Sequence, residues 1–161
     1  MRKEKQSGLS LIEMIIAIAI MALFLGIAGT LITQSIRLYS KQSLTVSLED
    51  QLRSVQDVMV RDLRPCNWVQ RATTSTNVAK LYFSRTGTNY NQYYQYDGAQ
   101  KTLYRQLSGG NPDPIADNIN SANFQVYSVT PSTFQVDIEL SASLNNVTKT
   151  TSFSVNLRNY K

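Results

Sequence analysis

Between Met14 and Ile36 the chain carries no charged residue, and Glu13 stands at the head of that run. At about 1.5 Å of rise per residue, a helix over this run is long enough to cross a ~30 Å hydrocarbon core. An ionised carboxylate in such a segment costs roughly 2.5–3.5 kcal/mol on insertion scales, so Glu13 needs a compensating partner. A basic, polar lead precedes the run: Arg2, Lys3, Glu4, Lys5, Gln6, Ser7 and Gly8. A secretory signal peptide has the same order, but its apolar stretch is shorter and ends in a small-residue cleavage site. Here no such site follows, and Gly26, Ala28 and Gly29 fall inside a helix-compatible pattern. The switch from polar to apolar falls instead at Gly8–Leu9, ahead of the run. The reading is a retained single-pass anchor over about residues 14–36. Arg2, Lys3 and Lys5 put the N-terminus in the cytoplasm and the rest of the chain outside, a bias that Arg37 and Lys41 weaken without reversing.

Past Ile36 the pattern becomes amphipathic. Leu44, Leu48, Leu52, Val55 and Met59 recur at helical spacing, while Glu49, Asp50, Arg53, Asp57 and Arg61 take the other positions. Glu49–Arg53 and Asp57–Arg61 stand in the favourable i,i+4 order. No Pro or Gly interrupts the stretch from Thr30 to Arg64, and Pro65 then stops it. The expectation is one helix from about Ser10 to Leu63, apolar all round in its first half and striped in its second. The stripe needs a partner surface, and it spans too few heptads for a coiled coil to be the better reading.

After Pro65 the chain reads as β. Strands are expected over residues 78–84, 92–96, 102–106, 122–129, 133–144 and 147–157. Asp97-Gly98 and Asn145-Asn146 mark hairpin turns, and the Gly/Pro stretch over residues 108–115 marks a loop between the hairpins. One apolar sheet face would cover the helix stripe, giving an α+β fold with a β-rich domain over residues 65–161.

Composition narrows the chemistry. The sequence has 161 residues, no histidine and a single cysteine, Cys66. That removes His-based catalytic pairs, most zinc sites and any intramolecular disulfide. No catalytic constellation emerges, so the chain reads as a non-enzyme with no cofactor and no small-molecule substrate. The net charge of +5 is partly in the lead and otherwise dilute, which argues against a nucleic-acid partner. Arg61, Arg64 and Arg71 beside Trp68 are the residues such a partner would use, although two of them also suit a helix C-terminus. Asp113 and Asp117 are the carboxylates that a hard cation would use, in a stretch without an EF-hand pattern. Tyr93, Tyr94 and Tyr96 form a candidate surface patch, with alternation putting Tyr94 and Tyr96 on one face. Cys66 reads as a small semi-buried apolar residue, and Asn146-Val147-Thr148 as a sequon on a turn.

Residues 1 to about 35 carry a resemblance. A basic lead ending in Gly8, then Leu9-Ser10-Leu11-Ile12-Glu13 and an uncharged run, resembles the N-terminus of type IV pilins and pseudopilins. The departures are Leu9, where Phe or Met is commoner, and an anchor without the proline that many major pilins carry. The resemblance implies a prepilin leader at 1–8, cut after Gly8 by a prepilin peptidase that methylates the new N-terminus at Leu9. It implies a helix over 9–64, a pilin-like fold, a home in the bacterial inner membrane, and other pilins or pseudopilins as partners. Cleavage frees an amine at Leu9 that is largely cationic near neutral pH. In a staggered bundle of anchors, Glu13 of one chain would pair with the amine of its neighbour. The stretch Val55–Pro65, with Arg-Asp-Leu-Arg at its end, is similar to minor pilins and the J-type minor pseudopilin of type II secretion, as is Val155-Asn-Leu-Arg-Asn159. Pilus, secretion pseudopilus and DNA-uptake pseudopilus all remain open, as does a membrane-anchored binding module or receptor.

Overall fold

The computed structural model describes residues 10–75, 77–87, 90–107, 109–130 and 133–157. One helix, α1 (Leu11–Leu63), leads the fold. Eight strands follow: β1 (Trp68–Ser75), β2 (Val78–Ser84), β3 (Tyr93–Asp97), β4 (Thr102–Gln106), β5 (Asp113–Ala116), β6 (Ile119–Thr130), β7 (Thr133–Leu144) and β8 (Val147–Asn156). The chain divides into two compact units, before and after Gln42–Ser43.

In the first unit every described residue is exposed, although most are apolar. This stretch of α1 is long and apolar enough to cross a membrane by length and composition. Its serine and threonine hydroxyls bond back to the helix's own carbonyls. Thr30 donates to the Ile27 carbonyl at 2.8 Å, Thr33 to Gly29 at 2.9 Å and Ser35 to Leu31 at 2.9 Å. Such back-bonding removes the cost of leaving a polar group unpaired in hydrocarbon.

In the second unit the striped half of α1 packs on antiparallel sheets, giving an α+β fold. Leu48, Leu52, Val55 and Met59 are buried at the positions the periodicity predicts, with Asp62 and Leu63 added at the end. Each fully buried aliphatic side chain contributes roughly 1.5–3 kcal/mol. Pro65 ends the helix as expected, and Cys66 N–H closes the turn onto the Leu63 carbonyl at 3.0 Å.

The single sheet expected from sequence is two sheets. One has the order β1-β2-β3-β4-β5, and the other is the meander β6-β7-β8. The hairpins fall where their turns predict: β3 pairs with β4 across Asp97-Gly98, and β7 with β8 across Asn145-Asn146. Both asparagines adopt positive φ, 48° and 64°, which short polar side chains tolerate in a two-residue turn. The expected loop over 108–115 contains the start of β5, whose Pro114 confines it to a sheet edge. The sheets share a core in which Leu81, Phe83 and Leu103 meet Phe124, Ile138 and Val155. They are stitched by Tyr96, whose hydroxyl donates to the Asn120 carbonyl at 2.6 Å.

Candidate functional site

Gly8 and Leu9, the expected processing pair, lie outside the described residues. The described chain begins beside them, at Ser10. The Ser10 carbonyl accepts the first helical hydrogen bonds, from Glu13 N–H at 3.0 Å and Met14 N–H at 3.3 Å. The Glu13 carboxylate folds back and accepts from Ser10 N–H at 2.9 Å. Ser10-Leu-Ile-Glu13 is thus a capping-box sequence, with the N3 glutamate satisfying the backbone donor of the cap. Among the described residues the Glu13 carboxylate meets this one donor, while the surface of the helix beside it is exposed apolar side chains: Leu11, Ile12, Ile15 and Ile16. One backbone donor leaves most of the acceptor capacity of a carboxylate unused.

At the other end of α1 lies a buried polar cluster that the sequence analysis passed over. The Asp62 carboxylate accepts from Arg105 Nε at 2.7 Å and Nη2 at 2.9 Å, and from the Tyr94 hydroxyl at 2.6 Å. The bidentate fork fixes one orientation of α1 against β3 and β4. Burial, together with the Asp62 carboxylate beside it, pushes the Tyr94 phenol far above its usual range. Cys66 donates its thiol to the Asp62 carbonyl at 3.1 Å, and burial raises its pKa to about 11. It is fully buried and protonated, so a nucleophilic role has no support. The signal for Asp62 was available: it sits three residues after Met59, on the apolar face, where a bare carboxylate requires a partner.

The patch of Tyr93, Tyr94 and Tyr96 does not form. Tyr94 is 0% exposed and Tyr96 8% exposed, so both belong to the core, while Tyr93 faces the other way. Strand alternation explains the split, and Tyr93 packs instead against Tyr82, which meets Tyr90. Trp68 is half-buried and packs edge-on against Tyr90. Arg71 follows Val69 on the opposite face of β1 from Trp68, so the basic-aromatic group expected there is split. Asp113 pairs in register with Arg105, and Asp117 accepts from the Thr102 hydroxyl at 3.2 Å. Among the described residues no three His, Cys, Asp or Glu side chains gather where a metal would bind. Glu49, expected to pair with Arg53, instead meets Lys149 of β8 at 2.6 Å.

Residues 3–29 match the family model described as the prokaryotic N-terminal methylation motif. No curated protein and no solved structure gives a match. The matched segment takes in Gly8, Leu9 and Glu13 and most of the apolar half of α1. It supports a type IV pilin-like protein with an N-terminal apolar helix fit to span a membrane.

Proposed function

We propose that the chain is a structural subunit of a type IV pilus or of a type II secretion pseudopilus, a minor one that helps to start the filament. The observation that carries this reading is the methylation motif at residues 3–29, heading a helix whose apolar half is exposed throughout among the described residues. Prepilin peptidase removes residues 1–8 at the cytoplasmic face of the inner membrane and methylates Leu9. The β-rich domain stands outside, and lipid holds the anchor until sister helices replace it. The minor-subunit assignment draws on Arg61-Asp-Leu-Arg64 and on the closing strand, both short stretches.

Glu13 then has two partners in succession. In the lipid-held chain it caps its own helix through Ser10 N–H. In the filament it pairs with the Leu9 amine of a neighbour, where charge attraction in a dry surrounding offsets the desolvation of both groups. Removing the carboxylate makes the segment more apolar, so Glu13→Leu is expected to insert and to be cleaved as wild type does. Its cross-linking to partner pilins is expected to fall by about tenfold, a deficit of roughly 1.4 kcal/mol, and filament number with it. Wild-type cross-linking by a processed, inserted Glu13→Leu chain would remove the ion pair from the mechanism.

A further inference from the structure

A strand at the end of a sheet leaves half of its backbone N–H and C=O groups turned outward. Among the described residues the two sheets end at β1, β5, β6 and β8. Three of these edges are broken up. β1 shifts register between Thr73 and Ser75, and β6 does so between Ile119 and Ser121 and again between Ser128 and Thr130. β5 is 4 residues long and contains Pro114. β8 has none of these devices. Its 10 residues contain neither Pro nor Gly and pair with β7 in one unbroken register. Short strands, bulges, prolines and charge are what keep a sheet edge from taking up another strand.

Register fixes which groups of β8 turn outward. Just beyond the paired stretch, Leu157 N–H donates to the Phe134 carbonyl at 3.0 Å. Along an antiparallel ladder, residues alternate between exchanging both bonds with the partner and pointing away from it. Counting back from Leu157, the backbone groups of Val155, Phe153, Thr151, Lys149 and Val147 serve β7. Asn156, Ser154, Ser152, Thr150 and Thr148 turn theirs outward, and their side chains are exposed.

The chemistry of that row names its occupant. Donors and acceptors repeating along a straight line match another extended polypeptide backbone, and a lipid, a sugar or a nucleic acid offers no such repeat. Beside the row, a groove between α1 and β8 is lined by Glu49, Asp50, Leu52, Arg53 and Lys149. Its acids and bases balance, so the incoming strand needs no net charge. Lys149, the one charge that would guard the edge, is held by Glu49 at 2.6 Å. A second copy fits poorly, because antiparallel pairing of two β8 strands has its two-fold axis normal to the sheet. A helix packed on that sheet runs in its plane. The two copies of α1 would then point in opposite directions, unlike subunits anchored in one membrane.

We propose that the free edge of β8 takes an extended strand from another filament subunit, adding a fourth strand to the β6-β7-β8 sheet. The identity of the partner rests on the subunit reading above, whereas the capacity of the edge does not. The probe is a synthetic peptide of residues 147–157, added to the full chain in detergent. With Ser152 opposite Ser152, antiparallel pairing sets Thr150 against Ser154 and Lys149 against Val155, so no like charges meet. Amide hydrogen exchange, read residue by residue, is expected to alternate along β8 of the chain alone. Phe153, Thr151 and Lys149 should be slow, and Ser154, Ser152, Thr150 and Thr148 fast. The peptide is expected to slow the fast set.

Thr150→Pro removes an outward donor without touching the ladder to β7. It is expected to weaken peptide binding by at least about tenfold. Ser152→Pro makes the same change one pair along if the first variant does not fold. The proposal is overturned if the outward amides are slow before peptide is added, if peptide leaves them fast, or if both proline variants bind as wild type does. Protection that appears on concentrating the chain alone would make a second copy the occupant and overturn the assignment to another subunit. In filament-forming cells, Thr150→Pro is expected to be cut to Leu9 normally and to lower filament number. Normal filament number from the processed variant would overturn the proposal, whereas an uncut wild-type chain would overturn the subunit reading and with it the named partner.

Discussion

Three donors converge on the carboxylate of Asp62, whose side chain is only 7% exposed at the end of α1. Removing one member of a buried pair leaves an uncompensated charge, which typically costs about 3–5 kcal/mol. Asp62→Leu and Arg105→Met are therefore each expected to lower the melting temperature sharply, read from Trp68 emission. The double variant should recover much of the loss, because no charge is then stranded; strict additivity of the two losses would contradict the coupling. Cys66 and Tyr94 beside this cluster have pKa values raised by burial. The fold therefore holds their protons at a pH where the unfolded chain releases them. Their contribution is complete below about pH 9 and shrinks as pH rises. Melting temperature should fall between pH 9.0 and about 11, and Cys66→Ala should flatten part of that fall. An unchanged slope in Cys66→Ala would place the alkaline sensitivity elsewhere.

At the scale of elements, α1 was readable because its two halves obey different rules with no helix breaker between Thr30 and Arg64. Met59→Ala empties a fully buried position and is expected to cost about 2–5 kcal/mol. Leu25→Ala, on the exposed apolar half, should leave the melting of the β-rich domain unchanged; equal effects would contradict the division of the helix. The hairpins were readable from Asp97-Gly98 and Asn145-Asn146, since turn chemistry is local. Two strands escaped. β1 mixes Trp68, Gln70 and Ala72 on one face with Val69 and Arg71 on the other, so no period stands out. β5 follows Pro112 and contains Pro114, in a Gly/Pro stretch that reads as a loop, and only its pairing with β4 makes it a strand. The division into two sheets escaped for the same reason, because it depends on which strands remain unpaired.

The whole chain separates two tasks along its length, and each left a different trace in the sequence. The first unit is legible almost completely, since lipid imposes a simple composition and the methylation motif is short and contiguous. The candidate residues of the second unit were legible only in part. Tyr93, Tyr94 and Tyr96 are adjacent in sequence, but pleating sends them to opposite faces, and Trp68 and Tyr82 join Tyr93 only through strand register. Asp62 was overlooked because its partners lie on β3 and β4. The central claim, that this chain is a processed pilin-like subunit, rests on the peptide bond after Gly8. Its most direct test is the intact mass of the chain extracted from membranes that contain a prepilin peptidase. The account predicts an N-terminus at Leu9 bearing one methyl group. A chain that still begins at Met1, or that is cut beyond the apolar run, would contradict it.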